Sequence, residues 1–144
     1  ARDVPAGQTR DYIFGYTILN DVSARDVQTA HKQWYFGKSL DGFTPIGPCI
    51  VTADAFADYP PRLGIRSFVN GEKRQDSNTA LQIFDIDHVI AELSQGMTLK
   101  AGTIIATGTP AGVGMGMDPP QFLKPGDVVR CEIDGIGTLT NPVK

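Results

Sequence analysis

Two dipeptides, Asn70-Gly71 and Asp134-Gly135, constrain this chain more than anything else in it. Each lies between strand-like runs, residues 63–69 with 72–75 and residues 128–133 with 136–140. Asn-Gly and Asp-Gly supply the positive φ angles of a type I′ turn, whose twist matches that of paired strands, so both read as tight antiparallel hairpins. The 16 glycines and 10 prolines among 144 residues likewise favour short strands and turns over long helices. One helix stands out, over residues 86–95. Ile86, Val89, Ile90 and Leu93 recur at helical spacing, Asp85 is placed to cap the start, and Gly96 to take the C′ position. Its apolar stripe is expected to cover a sheet face. Residues 103–107, apolar through Ile104, Ile105 and Ala106, read as a buried strand. The fold class expected is α+β, mainly β, of mixed sandwich- or barrel-like architecture with one amphipathic helix.

The length suits one domain with a proper core. A net charge of −3 argues against nucleic acid or an anionic membrane as the main partner. No apolar stretch approaches the roughly 20 residues of a membrane span. Cys49 and Cys131 stand alone among apolar or strand-like neighbours and read as reduced, packed thiols of a cytoplasmic protein. His31 and His88 lie in unrelated contexts, and neither is assigned to a metal. The chain opens at Ala1 without a methionine, and is expected to be a portion of something longer.

Chemistry gathers in one place. Asn20-Asp21-Val22-Ser23-Ala24-Arg25-Asp26-Val27-Gln28 follows a strand-like run and is answered by Gly37-Lys38-Ser39. An acid, an arginine, an amide and a lysine thereby meet at one strand end, which is equipment for holding a divalent metal beside an anionic substrate. Ser23 reads as the N-cap of a short helix, with Asp26 in capping-box-like spacing, and Arg25 and Gln28, three apart, share a helical face. Gly37-Lys38-Ser39 is not the end of a nucleotide loop, because the required earlier glycine is Lys32. Lys38 reads instead as a point charge for an oxyanion, as a base if burial lowers its pKa, or as an ordinary surface lysine. Further on, residues 108–114 form a glycine-rich loop whose backbone can approach an anion, with Thr109 adding a hydroxyl. Its spacing fits no dinucleotide fingerprint.

The order of these pieces resembles the fumarylacetoacetate hydrolase family: residues 20–28, then 37–39, the Asn-Gly hairpin with Arg74-Gln75-Asp76-Ser77-Asn78-Thr79-Ala80, residues 104–114, and residues 123–129 with the terminal hairpin. The likeness is greatest to bacterial members acting on acylpyruvates and related 2-oxo acids. It implies the mainly β fold of that family, a homodimer, and Mg²⁺ or Mn²⁺ as cofactor. It also implies roles: Asp21 as a metal ligand, Arg25 and Gln28 beside the site holding substrate or orienting water, Lys38 stabilising negative charge, and Thr109 binding a substrate carboxylate. Lys38, Arg25 and Gln28 are thus the catalytic candidates. The Glu-x-Glu pair and the His-x-x-Glu element of the family are absent here, and Gly42 stands where relatives often have threonine. Residues 1–144 therefore read as the C-terminal portion of a single such domain, with the upstream part missing.

The function this implies is metal-dependent hydrolysis of a C–C bond in an acylpyruvate or related 2-oxo or 1,3-diketo acid. A metal-bound enolate would serve decarboxylation of a 2-oxo acid or isomerisation of a dienoate equally well, and fold alone does not separate them. A rival of another class is an inactive fragment or oligomerisation domain. The partners expected are a small 2-oxo acid and a second copy of the chain, with no nucleic acid and no membrane.

Overall fold

The computed structural model describes residues 1–30 and 32–144; His31 lies outside the described residues. Among the described residues, six strands and two α-helices follow one another with short 3₁₀ turns between. Strands β1 (Gly15–Leu19) and β2 (Ile46–Thr52) are separated by helix α1 (Arg25–Ala30); β3 (Gly64–Val69), β4 (Glu72–Asn78), helix α2 (Ile86–Gly96), β5 (Val128–Ile133) and β6 (Gly137–Pro142) follow. Strands β1 and β2 pair alone, and the others form a sheet in the order β4-β3-β5-β6. Every pairing is antiparallel. The mainly β expectation holds.

Local chemistry explains the larger sheet. At the β3–β4 hairpin Asn70 (φ 52°) and Gly71 (φ 85°) both carry positive φ, as a type I′ turn requires. Asn70 also grips β5: its Nδ2 donates to Asp127 Oδ1 at 2.8 Å and its Oδ1 accepts from Val128 N at 2.9 Å. The second hairpin departs from expectation. Ile133 pairs with Gly137, so three residues turn the chain. Positive φ falls on Gly135 and not on Asp134, and Ile136 N–H bonds back to Ile133 O. Asp134 is recruited elsewhere, accepting from Arg66 Nη1 at 2.8 Å while its N–H donates to Gly64 O at 3.0 Å. An ion pair and a backbone bond to β3 thus override the dipeptide's local preference.

The helix α2 begins as expected, with Asp85 accepting from His88 N at 2.8 Å. Its end differs: Gly96 is the last helical residue and Met97 closes the helix in an extended conformation. Ile90, Ala91 and Ser94 are buried, and the helix is fastened to the N-terminal segment. Ser94 Oγ accepts from Val4 N at 3.0 Å, and Asp87 accepts from Gly7 N and the Thr9 hydroxyl. These bonds, led by Thr9, hold the Asp87 carboxyl below its ordinary pKa against the opposing effect of desolvation.

Residues 103–107 are a second correction. No described strand pairs with them, and Ile104 is 60% exposed. An apolar run becomes a strand only where a neighbour completes its ladder. Cys49 is also exposed rather than packed, while Cys131 is half-buried and burial raises its thiol pKa. The sheets meet where β2 crosses β6: Gly47 lies against Leu139, Gly137 against Pro48, and Cys49 Sγ donates to Ile136 O at 3.7 Å.

Candidate active site

Strand β1 ends at Leu19 and delivers Asp21 and Ser23 just beyond its last pair, while the chain returns through a 3₁₀ turn at Phe36–Lys38. Gly37 makes that return possible. A Cβ there would lie 2.7 Å from Gln28 N, 2.8 Å from Gln28 Cβ and 2.9 Å from Ala24 O, so only glycine lets the turn press against α1. The contact is sealed by Ala24 N–H donating to Gly37 O at 2.8 Å.

The next side chain, Lys38, consequently lands on the strand end. Its Nζ donates to Asp21 Oδ2 at 2.5 Å and to Ser23 Oγ at 3.0 Å. The pair is partly exposed, 26% for Lys38 and 42% for Asp21. An ammonium has three donors, so one remains for a third oxygen. Ser23 is therefore not the helix cap that its position suggested. Helix α1 starts at Arg25, and the serine hydroxyl donates to Asp21 O at 3.1 Å while accepting from Lys38. Arg25 Nη1 donates to Gln28 Oε1 at 2.9 Å. Gln28 is 4% exposed, which makes it a fixed rest for a guanidinium that keeps further donors free.

Asp21, Arg25, Gln28 and Lys38 thus share one neighbourhood, as their sequence spacing suggested, and Ser23 joins them. Thr109 is held in a different way. Gln75 Nε2 donates to Thr109 Oγ1 and to Pro110 O, both at 2.8 Å. Among the described residues, no hydrogen bond or ion pair links Thr109 to the Asp21–Lys38 cluster. Sequence reasoning did not single out Gln75 or Ser23 as functional; Gln75 was visible only as part of the run that follows the Asn-Gly hairpin.

The metal expectation meets a limit here. Asp21 offers one carboxylate, already engaged by Lys38 through Oδ2. Among the described residues no three His, Cys, Asp or Glu side chains converge. Mg²⁺ requires six oxygens in near-ideal octahedral geometry, so these residues alone do not make its site. His88 is occupied otherwise, stacked on Phe84 at 4.7 Å between ring centroids. Among the described residues no helix is long and apolar enough to cross a membrane.

The chain is similar to several known proteins. The family described as fumarylacetoacetate (FAA) hydrolase C-terminal matches residues 1–144. The chain is 52% identical over 133 residues to oxaloacetate tautomerase YisK of Bacillus subtilis, covering 92% of this chain and 44% of that protein. To the mitochondrial oxaloacetate tautomerase fahd2 of Xenopus laevis it is 48% identical, covering 99% and 45%. Among solved structures, a fumarylacetoacetate hydrolase from Exiguobacterium antarcticum superposes with a TM-score of 0.96 at 52% identity, covering all of this chain and 51% of that one. A 5-carboxymethyl-2-hydroxymuconate delta-isomerase from Mycobacterium smegmatis gives 0.87 at 46%, covering 99% and 52%. The chain spans about half the length of the relatives it matches. It belongs to the fumarylacetoacetate hydrolase family.

Proposed function

We propose that this chain supplies the enolate-stabilising part of an enzyme that interconverts the keto and enol forms of a 2-oxo dicarboxylic acid of the oxaloacetate class. The observation that carries the reading is the Lys38 ammonium, fixed by Asp21 and Ser23 with one donor to spare. Tautomerisation removes a proton from the carbon beside the keto group and returns one to the keto oxygen, with no net change in atoms or electrons. Negative charge grows on that oxygen, and a preoriented cation in a shielded site stabilises it most at that moment. Arg25, braced on Gln28, and Thr109 are the groups for the substrate carboxylates. Asp21 is the one ligand the chain offers to a divalent cation; the others would come from outside these residues, which we take to be the C-terminal portion of a single domain.

C–C bond hydrolysis of an acylpyruvate is the second reading, favoured by the name of the 52% identical structure from Exiguobacterium antarcticum. There water adds to the distal carbonyl, the C–C bond breaks, and its electron pair becomes the enolate of pyruvate, which then takes a proton. Decarboxylation and dienoate isomerisation pass through the same kind of enolate. The exposed Phe14, Ile46 and Ile50 support association into a homodimer, which light scattering on the complete protein tests. A decisive assay follows loss of the ultraviolet absorbance of enol-oxaloacetate. The complete protein is expected to accelerate it, and Lys38→Met to abolish most of that acceleration. Cleavage of acylpyruvates without any tautomerase activity would establish the second reading, and neither activity would leave the inactive-fragment rival.

A further inference from the structure

We infer that Gln75 is a positioning residue that frees the Thr109 hydroxyl hydrogen to be donated toward a substrate carboxylate; this rests on the reading of Thr109 as a carboxylate-binding group. The argument begins with Pro110, whose carbonyl can only accept. It lies 2.8 Å from the Gln75 amide, so the amide face turned to it must be the nitrogen. The carbonyl end, Oε1, then faces Ser67, whose hydroxyl donates to it at 2.7 Å. With the amide fixed at both ends, the second hydrogen on Nε2 goes to Thr109 Oγ1 at 2.8 Å. Thr109 accepts that bond, which leaves its own hydrogen to be given outward. Thr109 is an exposed residue, and an outward donor favours an anion.

The backbone is built for this chain of bonds. Ser67 opposes Gln75 while Phe68 opposes Lys73, so Arg74 is the extra residue of a β-bulge. Bulges re-aim side chains and occur beside active sites. Here the bulge lets two adjacent residues serve one segment. Arg74 O occupies the space a Cβ on Gly112 would need, its guanidinium reaches Gln121 Oε1 and Met117 Sδ, and Gln75 holds Thr109 and Pro110.

The test uses the complete protein, oxaloacetate for KM and kcat, and calorimetric binding of oxalate, a dianion. Gln75→Glu replaces the donor with an oxygen, which takes the Thr109 proton for itself. Gln75→Met removes both bonds at similar volume and lets that proton turn freely. Loss of a hydrogen bond to a charged group predicts a rise of about tenfold or more in oxaloacetate KM and oxalate Kd for Gln75→Glu. Gln75→Met should rise less, and kcat should stay within about twofold in both, the mark of lost uniform binding. Thr109→Val should match Gln75→Glu, Thr109→Ser should restore binding, and Gln75→Glu added to Thr109→Val should cost nothing further. If Thr109→Val changes neither constant, the carboxylate reading of Thr109 falls and the inference falls with it. If Thr109→Val weakens binding but Gln75→Glu does not, or does so equally in the Thr109→Val background, the positioning role alone is overturned. Should Gln75→Glu not fold, Gln75→Met decides: a KM rise that vanishes in the Thr109→Val background supports the role, and an unchanged KM overturns it.

Discussion

Gly37→Ala is a small change that should dismantle the Lys38 site from behind. The added methyl would lie 2.7 Å from Gln28 N, 2.8 Å from Gln28 Cβ and 2.9 Å from Ala24 O. Two of those atoms are backbone, and carbon contacts are comfortable only near 3.5–4.0 Å. Relief therefore requires the turn at Phe36–Lys38 to move away from α1 by a sizeable fraction of an ångström. Overpacking of this kind costs about 1–3 kcal/mol. For residues 1–144 the unfolding entropy is about 0.3 kcal/mol per kelvin, so their melting temperature should fall by roughly 3–10 °C, and by about half as much in a protein of twice the length. The same displacement carries Lys38 away from Asp21 and Ser23, and a misplaced catalytic group loses up to about a hundredfold in rate. Gly71→Ala is the control. It meets nothing within 4 Å but keeps a φ of 85°, so it should cost about 1 kcal/mol through backbone strain alone and leave kcat untouched. Calorimetric melting and enol-oxaloacetate kinetics on both variants decide the matter. A Gly37→Ala protein with unaltered melting and rate would refute the claim that this close approach builds the site.

Other expectations follow from the same geometry. Lys38→Arg should recover only part of the rate lost in Lys38→Met, because a planar fork cannot meet Asp21, Ser23 and a substrate oxygen as a compact ammonium does; full recovery in steady-state kinetics would contradict this. Residues 1–144 alone should show little Mg²⁺-dependent thermal stabilisation, whereas the complete protein should show one that Asp21→Asn reduces; a shift that survives Asp21→Asn would remove Asp21 from the ligand set. Asp87 has a folded-state pKa below its unfolded value, so its contribution is present above the unfolded carboxylate pKa of about 4 and is lost as pH falls through the folded value. Asp87→Asn should accordingly flatten the acid side of the stability–pH curve measured by urea denaturation, and an unchanged acid limb would count against the Thr9–Asp87 tie.

The sequence was most readable where structure is decided locally. Asn70-Gly71 turns as expected because both φ angles are properties of those two residues. Asp134-Gly135 looked equivalent, but Asp134 is claimed by Arg66, 68 positions away, and no local rule reports such a partner. The strand expected at residues 103–107 failed for a related reason: apolar composition says a segment can be buried, not that a neighbour exists to bury it. The same division runs through the site. Asp21, Arg25, Gln28 and Lys38 fall within 18 consecutive positions, so a strand end and one helical turn gather them. Ser23 was misread because a hydroxyl two residues before a helix can cap it or can accept from a lysine, and the competing Lys38 lies 15 positions on. Gln75 and Thr109 are 34 positions apart, and only the folded chain shows that they touch.

Those two groups of residues also hang from different sheets. Asp21 and Ser23 follow the end of β1, in the two-stranded sheet, and Lys38 bonds to them from the 3₁₀ turn at Phe36–Lys38, while Ser67 and Gln75 belong to β3 and β4 of the four-stranded one. A substrate that meets both Lys38 and Thr109, as proposed, would bridge the sheets, and the spacing between them would then bear on catalysis. That spacing is set where β2 crosses β6, and the contact is made of parts with little freedom: Gly47 against Leu139 and Pro48 against Gly137. Both glycines sit at positive φ, 145° and 126°, where L side chains are strained. Glycines that carry no functional group therefore help to fix how the two sheets meet, and with it the distance that a dianion held by both Lys38 and Thr109, as proposed, would span.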